Sequence, residues 1–250
     1  NRMESYNCKL IDLGNYVKVI KYEKSIPTAQ VKAASRSISE KLYLDVQEKS
    51  LSKVRKLKNS EIDKFIHIII LNFKVNDIFI TLTYKKEEVT VNEASKDFDN
   101  WIKRMRWRYG DFKYIAIRSF QKRGTIHYHI LVDIPRLPKE DLKNKTFEKI
   151  WGHGEVYIKR IYKLGVVYSH SPLLKYLVGN LKEFKADERA FGKRLYIKSK
   201  NLIEPIVIKG DYNKIVEHLK KDKSDLEQID KRKCSVEFIG SIETQIYKKG

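Results

Sequence analysis

Between Ser50 and Ile69 the apolar residues Leu51, Val54, Leu57, Ile62, Phe65, Ile66 and Ile69 recur at helical spacing. A break over Asn72–Asp77 leads into Ile78–Tyr84 (IFITLTY), whose β-branched and aromatic content predicts a strand. Helical period returns over Asn92–Tyr109 through Phe98, Trp101, Ile102, Met105 and Tyr109, and Gly110 stands where such a helix stops. Two further strands are predicted at Lys113–Ser119 and Ile126–Asp133, joined by a turn at Lys122–Gly124 and closed by Pro135 and Pro138. Beyond them the pattern predicts a helix over Asp141–Trp151 and a short strand over Glu155–Arg160. A helix over Pro172–Phe184, with proline in its first turn, and a strand over Arg194–Lys198 follow. The order β-α-β-β-α-β, then helix and strand, predicts an α+β fold in which helices pack on an antiparallel sheet.

The flanks are less patterned. Residues 1–60 read as a basic lead ending in a helix, and the polar stretch Lys220–Lys233 sets off a C-terminal tail. With no repeats and no Gly/Ser linker, the expected organisation is a basic helical lead over 1–60, one main domain over 61–210 and an appendage over 211–250.

Hydrophobic residues make up 42% of the 250, the ordinary share for a folded chain. Lysine and arginine total 52 against 32 acidic residues, and the resulting +20 favours a polyanionic partner, because each neutralised phosphate releases counterions. A lysine-rich genome would produce the same charge with no such partner. Cys8 and Cys234 are too few and too far apart for a disulfide framework or a zinc cluster. The longest apolar run, Ile66–Phe73, is interrupted by His67 and Asn72 and falls short of the roughly 20 residues of a membrane span. Asn1–Leu10 lacks a signal-peptide layout. A soluble cytoplasmic protein with no membrane partner is the expectation.

Chemistry concentrates in the strand Ile126–Asp133. Side chains alternate along a strand, so His127 and His129 share one face while Ile126, Tyr128 and Ile130 share the other. Two imidazoles about 7 Å apart can converge on one divalent cation, provided both are neutral. Two solvent-facing histidines are the alternative. Lys122 and Arg123, just before the strand, are placed to meet DNA phosphate or to form a solvated turn.

Several segments occur together in a telling order. They are Asn72-Phe73, the strand with Thr81-Leu82-Thr83, the aromatic helix Phe98–Tyr109, the segment Arg123–Leu131 (RGTIHYHIL) and Trp151-Gly152-His153-Gly154. A tyrosine-bearing helix and Gly192–Tyr196 with Ser199 complete the set. From about Asn72 to Leu202 the chain thus resembles the HUH endonucleases, specifically the rolling-circle replication initiators of phages and plasmids. That resemblance implies an RRM/ferredoxin-like antiparallel sheet. It also implies Mg²⁺ or Mn²⁺ on His127 and His129, and a tyrosine that attacks the scissile phosphate, stays joined to the 5′ end and leaves a free 3′ hydroxyl.

Tyr176 takes the place of the nucleophile, in Lys175–Lys182 (KYLVGNLK), with Tyr168 in reserve. The family pattern Tyr-x-x-Lys-Tyr-x-x-Lys is broken here: Gly179 and Asn180 replace its Lys-Tyr pair, or Pro172 replaces its first tyrosine, so a single-tyrosine enzyme is implied. Lys182 is the expected cationic partner of the phenol, with Lys175 and Lys185 as alternatives. Relatives carry a third metal ligand, a glutamate, where this chain has Ser119. Gln121, on the same strand face, is the expected replacement, and His153 is expected to be structural. Transposases and relaxases share the chemistry, although relaxases usually carry a third spaced histidine that is absent here. A non-catalytic single-strand binder is the remaining class. Single-stranded or origin DNA is the expected partner, and the lack of a Walker segment leaves unwinding to a host helicase.

Overall fold

Alternation along Ile126–Val132 (β5) divides the main unit into two cores. The computed structural model describes residues 5–28, 58–120, 124–134, 137–222, 225–236 and 239–250. Strand β5 lies in the middle of a five-stranded antiparallel sheet of order β6-β3-β5-β4-β7. Its neighbours are β3 (Ile78–Leu82) and β4 (Tyr114–Phe120), flanked by β6 (Val156–Arg160) and β7 (Tyr196–Lys198). Ile126, Tyr128, Ile130 and Val132, with Ile78, Ile80 and Leu82, meet the apolar stripe Ala94, Phe98, Trp101, Ile102 and Met105 of helix α2 (Val91–Tyr109). The Phe98 ring stacks on Tyr128 at 4.6 Å. Helix α2 begins at a capping box between Thr90 and Glu93 and ends at Gly110, whose φ of 77° suits glycine.

On the opposite face Ile115, Ile117 and Leu131 receive α1 (Asn59–Asn72) and α5 (Pro172–Ala186). Leu174, Leu177, Val178 and Leu181 form the buried stripe of α5. Burying each of these side chains contributes on the order of 1.5–3 kcal/mol, which fixes α5 on the sheet and therefore where its exposed residues sit. Ser171 caps this helix by accepting from the Leu174 N–H, and Pro172 occupies its first turn.

The α+β expectation holds, and most elements fall within two residues of their predicted bounds. The helix predicted over Asp141–Trp151 is instead two, α3 (Lys139–Lys143) and α4 (Thr146–Trp151). Lys145 between them has a left-handed φ of 51°. The carboxylate of Asp141 is buried there and accepts from Arg108, Tyr109 and Thr146.

A second unit is built from both chain ends. It comprises residues 1–53 and 205–250, and the sheet unit above spans 54–204. Strands β1 (Ser5–Asp12), β2 (Tyr16–Pro27), β8 (Ile206–Gly210), β9 (Leu226–Val236) and β10 (Gly240–Lys249) pair antiparallel in the order β8-β1-β2-β10-β9. Helix α6 (Tyr212–Asp222) sets Ile215 against Cys8, Leu10, Val17 and Val19. The basic lead and the C-terminal appendage, expected as separate segments, thus share one sheet in their described parts. The helix read from Ser50 starts at Asn59 among the described residues, and residues 51–57 lie outside them. No helix among the described residues is long and apolar enough to cross a membrane.

Candidate active site

The central strand presents the histidine pair. His127 and His129 lie on the face opposite Tyr128, with ring centroids 6.5 Å apart. In register, His129 stands between Thr81 of β3 and Ile117 of β4, and His127 stands opposite Ser119. The Thr81 hydroxyl is 3.3 Å from His129 Nδ1, and the Ser119 hydroxyl is 3.1 Å from His129 Nε2. Phe79 stacks parallel to the His129 ring with centroids 5.9 Å apart. Hydroxyls on both sides and a ring on a third thus hold the imidazole in place.

Helix α5 brings Tyr176 over this strand. While Leu174, Leu177 and Val178 are buried, Tyr176 is 48% exposed, and its hydroxyl lies 3.2 Å from His129 Nε2. The phenol ring meets His129 edge-on at 5.1 Å and Phe79 at 6.2 Å. The ring is thus held by its neighbours while about half of the residue remains exposed.

Burial pushes the His129 imidazole down to about 4; the neighbouring His127 adds to the fall, and hydrogen bonding with Asn180 opposes it. Burial also lowers His127. Both rings are therefore neutral near pH 7, the state in which imidazole nitrogen ligates a metal. Burial raises the Tyr176 phenol, with hydrogen bonding to Asn180 opposing and the Glu183 carboxylate adding to the rise. The phenol is therefore protonated at neutral pH.

Two neutral imidazoles beside the Ser119 hydroxyl suit one divalent cation. Among the described residues no third His, Cys, Asp or Glu completes a cluster with them. Gln121, Lys122 and Arg123, expected as third ligand and DNA contacts, lie outside the described residues. Lys182 is exposed on α5, and its position six residues after Tyr176 places it about 120° round the helix from the phenol. Asn180 and Glu183, one and two turns on, share the face of Tyr176. Sequence reasoning passed over Asn180 except as a departure from the family pattern, although i+4 spacing marks it as a neighbour.

Tyr168 lies in a short 3-10 turn over Tyr168–His170 and packs against the core under α5. His153 belongs to a different cluster, 3.6 Å from Asp97 and against the rings of Tyr84 and Trp151.

Residues 77–180 match a family model described as replication-associated protein, of the ORF2 type. The matched stretch runs from β3 through β6 into α5 and includes His127, His129, Tyr176 and Asn180. Over that stretch, less than half of the chain, the protein is similar to a replication-associated family. Neither the curated proteins nor the solved structures give a match.

Proposed function

We propose that the protein initiates rolling-circle replication by nicking single-stranded origin DNA, with Tyr176 as nucleophile and His127 and His129 as ligands of Mg²⁺ or Mn²⁺. The observation that carries this reading is the 3.2 Å approach of the hydroxyl of the half-exposed Tyr176 to the buried His129 on the central strand. The similarity to a replication-associated family over the same residues gives it a biological setting.

His127 and His129 would hold the divalent cation, which would supply positive charge against the non-bridging phosphate oxygens. Around it the chain positions the reactants. Thr81, Ser119 and Phe79 fix the His129 ring, and the buried stripe of α5 holds the phenol beside it. In the reaction the Tyr176 oxygen bonds to phosphorus, the bond from phosphorus to the 3′ oxygen breaks, and the proton lost by the phenol balances the one gained by the departing 3′ hydroxyl. The product is a 5′-phosphotyrosine that conserves the phosphodiester for later rejoining. Gln121 is proposed as a further metal ligand, Lys122 and Arg123 as phosphate contacts, Lys182 as an electrostatic aid and a host helicase as partner.

The test is covalent capture. The protein is incubated with Mn²⁺ and a pool of randomised single-stranded oligonucleotides, resolved on a denaturing gel, and the adduct is mapped by peptide sequencing. An adduct on Tyr176, lost in Tyr176→Phe and retained in Tyr168→Phe, is expected. Mapping to Tyr168 would discard the residue, and cutting with no adduct would discard the tyrosine mechanism.

A further inference from the structure

The histidine face continues past Tyr176 into a groove at the β6 edge. Tyr157 of β6 is opposite Thr81, which is opposite His129, so the three form one row across the sheet. Lys159 stands beside Phe79 in the next row. The chain leaving β6 adds Tyr162 and Lys163, and Tyr176 closes the groove on the α5 side; the cavity is about 590 Å³, within the range that accepts small ligands.

Two features of the lining call for an occupant. Tyr157 is 54% exposed and Tyr162 83% exposed, which leaves two aromatic residues open to solvent in the lining of one cavity. Lys159 and Lys163 form no ion pair among the described residues, and although the Tyr157 hydroxyl donates to the Glu155 carboxylate at this rim, the two ammonium groups with Arg160 leave the lining net positive. Ring faces with adjacent ammonium groups match one chemistry, an aromatic base carried on a phosphate backbone. A paired base shows a protein only its edges, so a groove that works through ring faces requires the base to be unpaired.

We propose that this groove is the subsite for an unpaired nucleotide next to the scissile phosphate, its base against Tyr157 and Tyr162 and its phosphate on Lys159 and Lys163. The proposal rests on Tyr176 being the nucleophile, since that residue forms the shared wall. Stacking on tyrosine tolerates any base, so the groove contributes selectivity for single strands over duplex and leaves choice of sequence to other contacts.

The test is binding of labelled oligothymidylate and of an abasic strand of equal length, followed by fluorescence anisotropy in chelator across a salt series. The unmodified protein is expected to favour oligothymidylate by on the order of tenfold. Tyr157→Leu with Tyr162→Leu should abolish that preference and leave the salt slope unchanged. Tyr162→Leu alone, at an exposed position where folding is not at stake, should reduce it. Lys159→Gln with Lys163→Gln should weaken both strands alike and reduce the salt slope by up to about 1.4. Equal affinity of the unmodified protein for the two strands, or an undiminished preference in the double tyrosine variant, would overturn the subsite. Binding in chelator does not depend on cutting, so these outcomes stand apart from adduct mapping, which bears on the nucleophile alone.

Discussion

Substituting alanine for Gly154 places a methyl group where the backbone just past the end of β3 already lies. A Cβ there would be 2.3 Å from the Thr83 carbonyl oxygen and 2.9 Å from the Lys85 nitrogen, both main-chain atoms that cannot rotate away. Relief requires the strand end to retreat by about 1 Å, since ordinary contact begins near 3.4 Å. The hydrogen bonds that the displaced main-chain atoms themselves make across this junction are Thr83 N–H to Glu155 O at 3.0 Å, Lys85 N–H to His153 O at 2.9 Å, and Trp151 Nε1–H to Thr83 O at 2.7 Å. At about 1 kcal/mol each, their loss costs roughly 3 kcal/mol. In a unit of this size that lowers Tm by about 6–12 °C. Thermal unfolding followed by circular dichroism measures it. A Tm within a degree of the unmodified protein would show that the junction yields freely, and would refute the argument from close approach.

Gly179→Ala should move stability the other way: a Cβ on this α5 glycine meets nothing within 4 Å, and removing glycine from a helix interior gains about 0.5–1 kcal/mol, read as a higher Tm. His127→Ala or His129→Ala should abolish nicking while single-strand affinity survives, because phosphate contacts come from cations elsewhere; full activity of either variant in chelator would defeat the metal site. In metal-free buffer, unfolding should become easier as pH falls from about 6.5 to 4. His129 takes up its proton in the unfolded chain near 6.5 but in the folded chain only near 4, so the unfolded state binds more protons in that window. The loss from this group is about 3 kcal/mol, and His129→Phe should flatten the window.

Where large apolar residues alternate or recur at helical spacing, the fold was legible: β3, β4, β5 and α2 each bury a full face, and their patterns name that face. The unit made from the chain ends was not. Val17 and Val19 alternate with lysine for only a few positions, and β9 exposes nearly every residue, since it gains its place by pairing with β10 rather than by burial. The histidine pair could be read because strand period fixes a common face. Its hydroxyl partners could not: Thr81 and Ser119 reach His129 through register between strands, which no local pattern states. Lys182 drew attention by charge and family habit, whereas helix geometry turns Asn180 toward the phenol.

The position of β5 in its sheet bears on motion. A strand with two neighbours on each side is among the last segments to exchange its amides, whereas α5 is held by one apolar stripe and carries Tyr176 half-exposed at the margin of that stripe. The histidines therefore belong to the slowest-opening part of the unit and the tyrosine to a more readily released one. In the proposed reaction, a strand end bonded to Tyr176 would leave the imidazoles and return with small excursions of α5, while the histidine face keeps its shape between departure and rejoining.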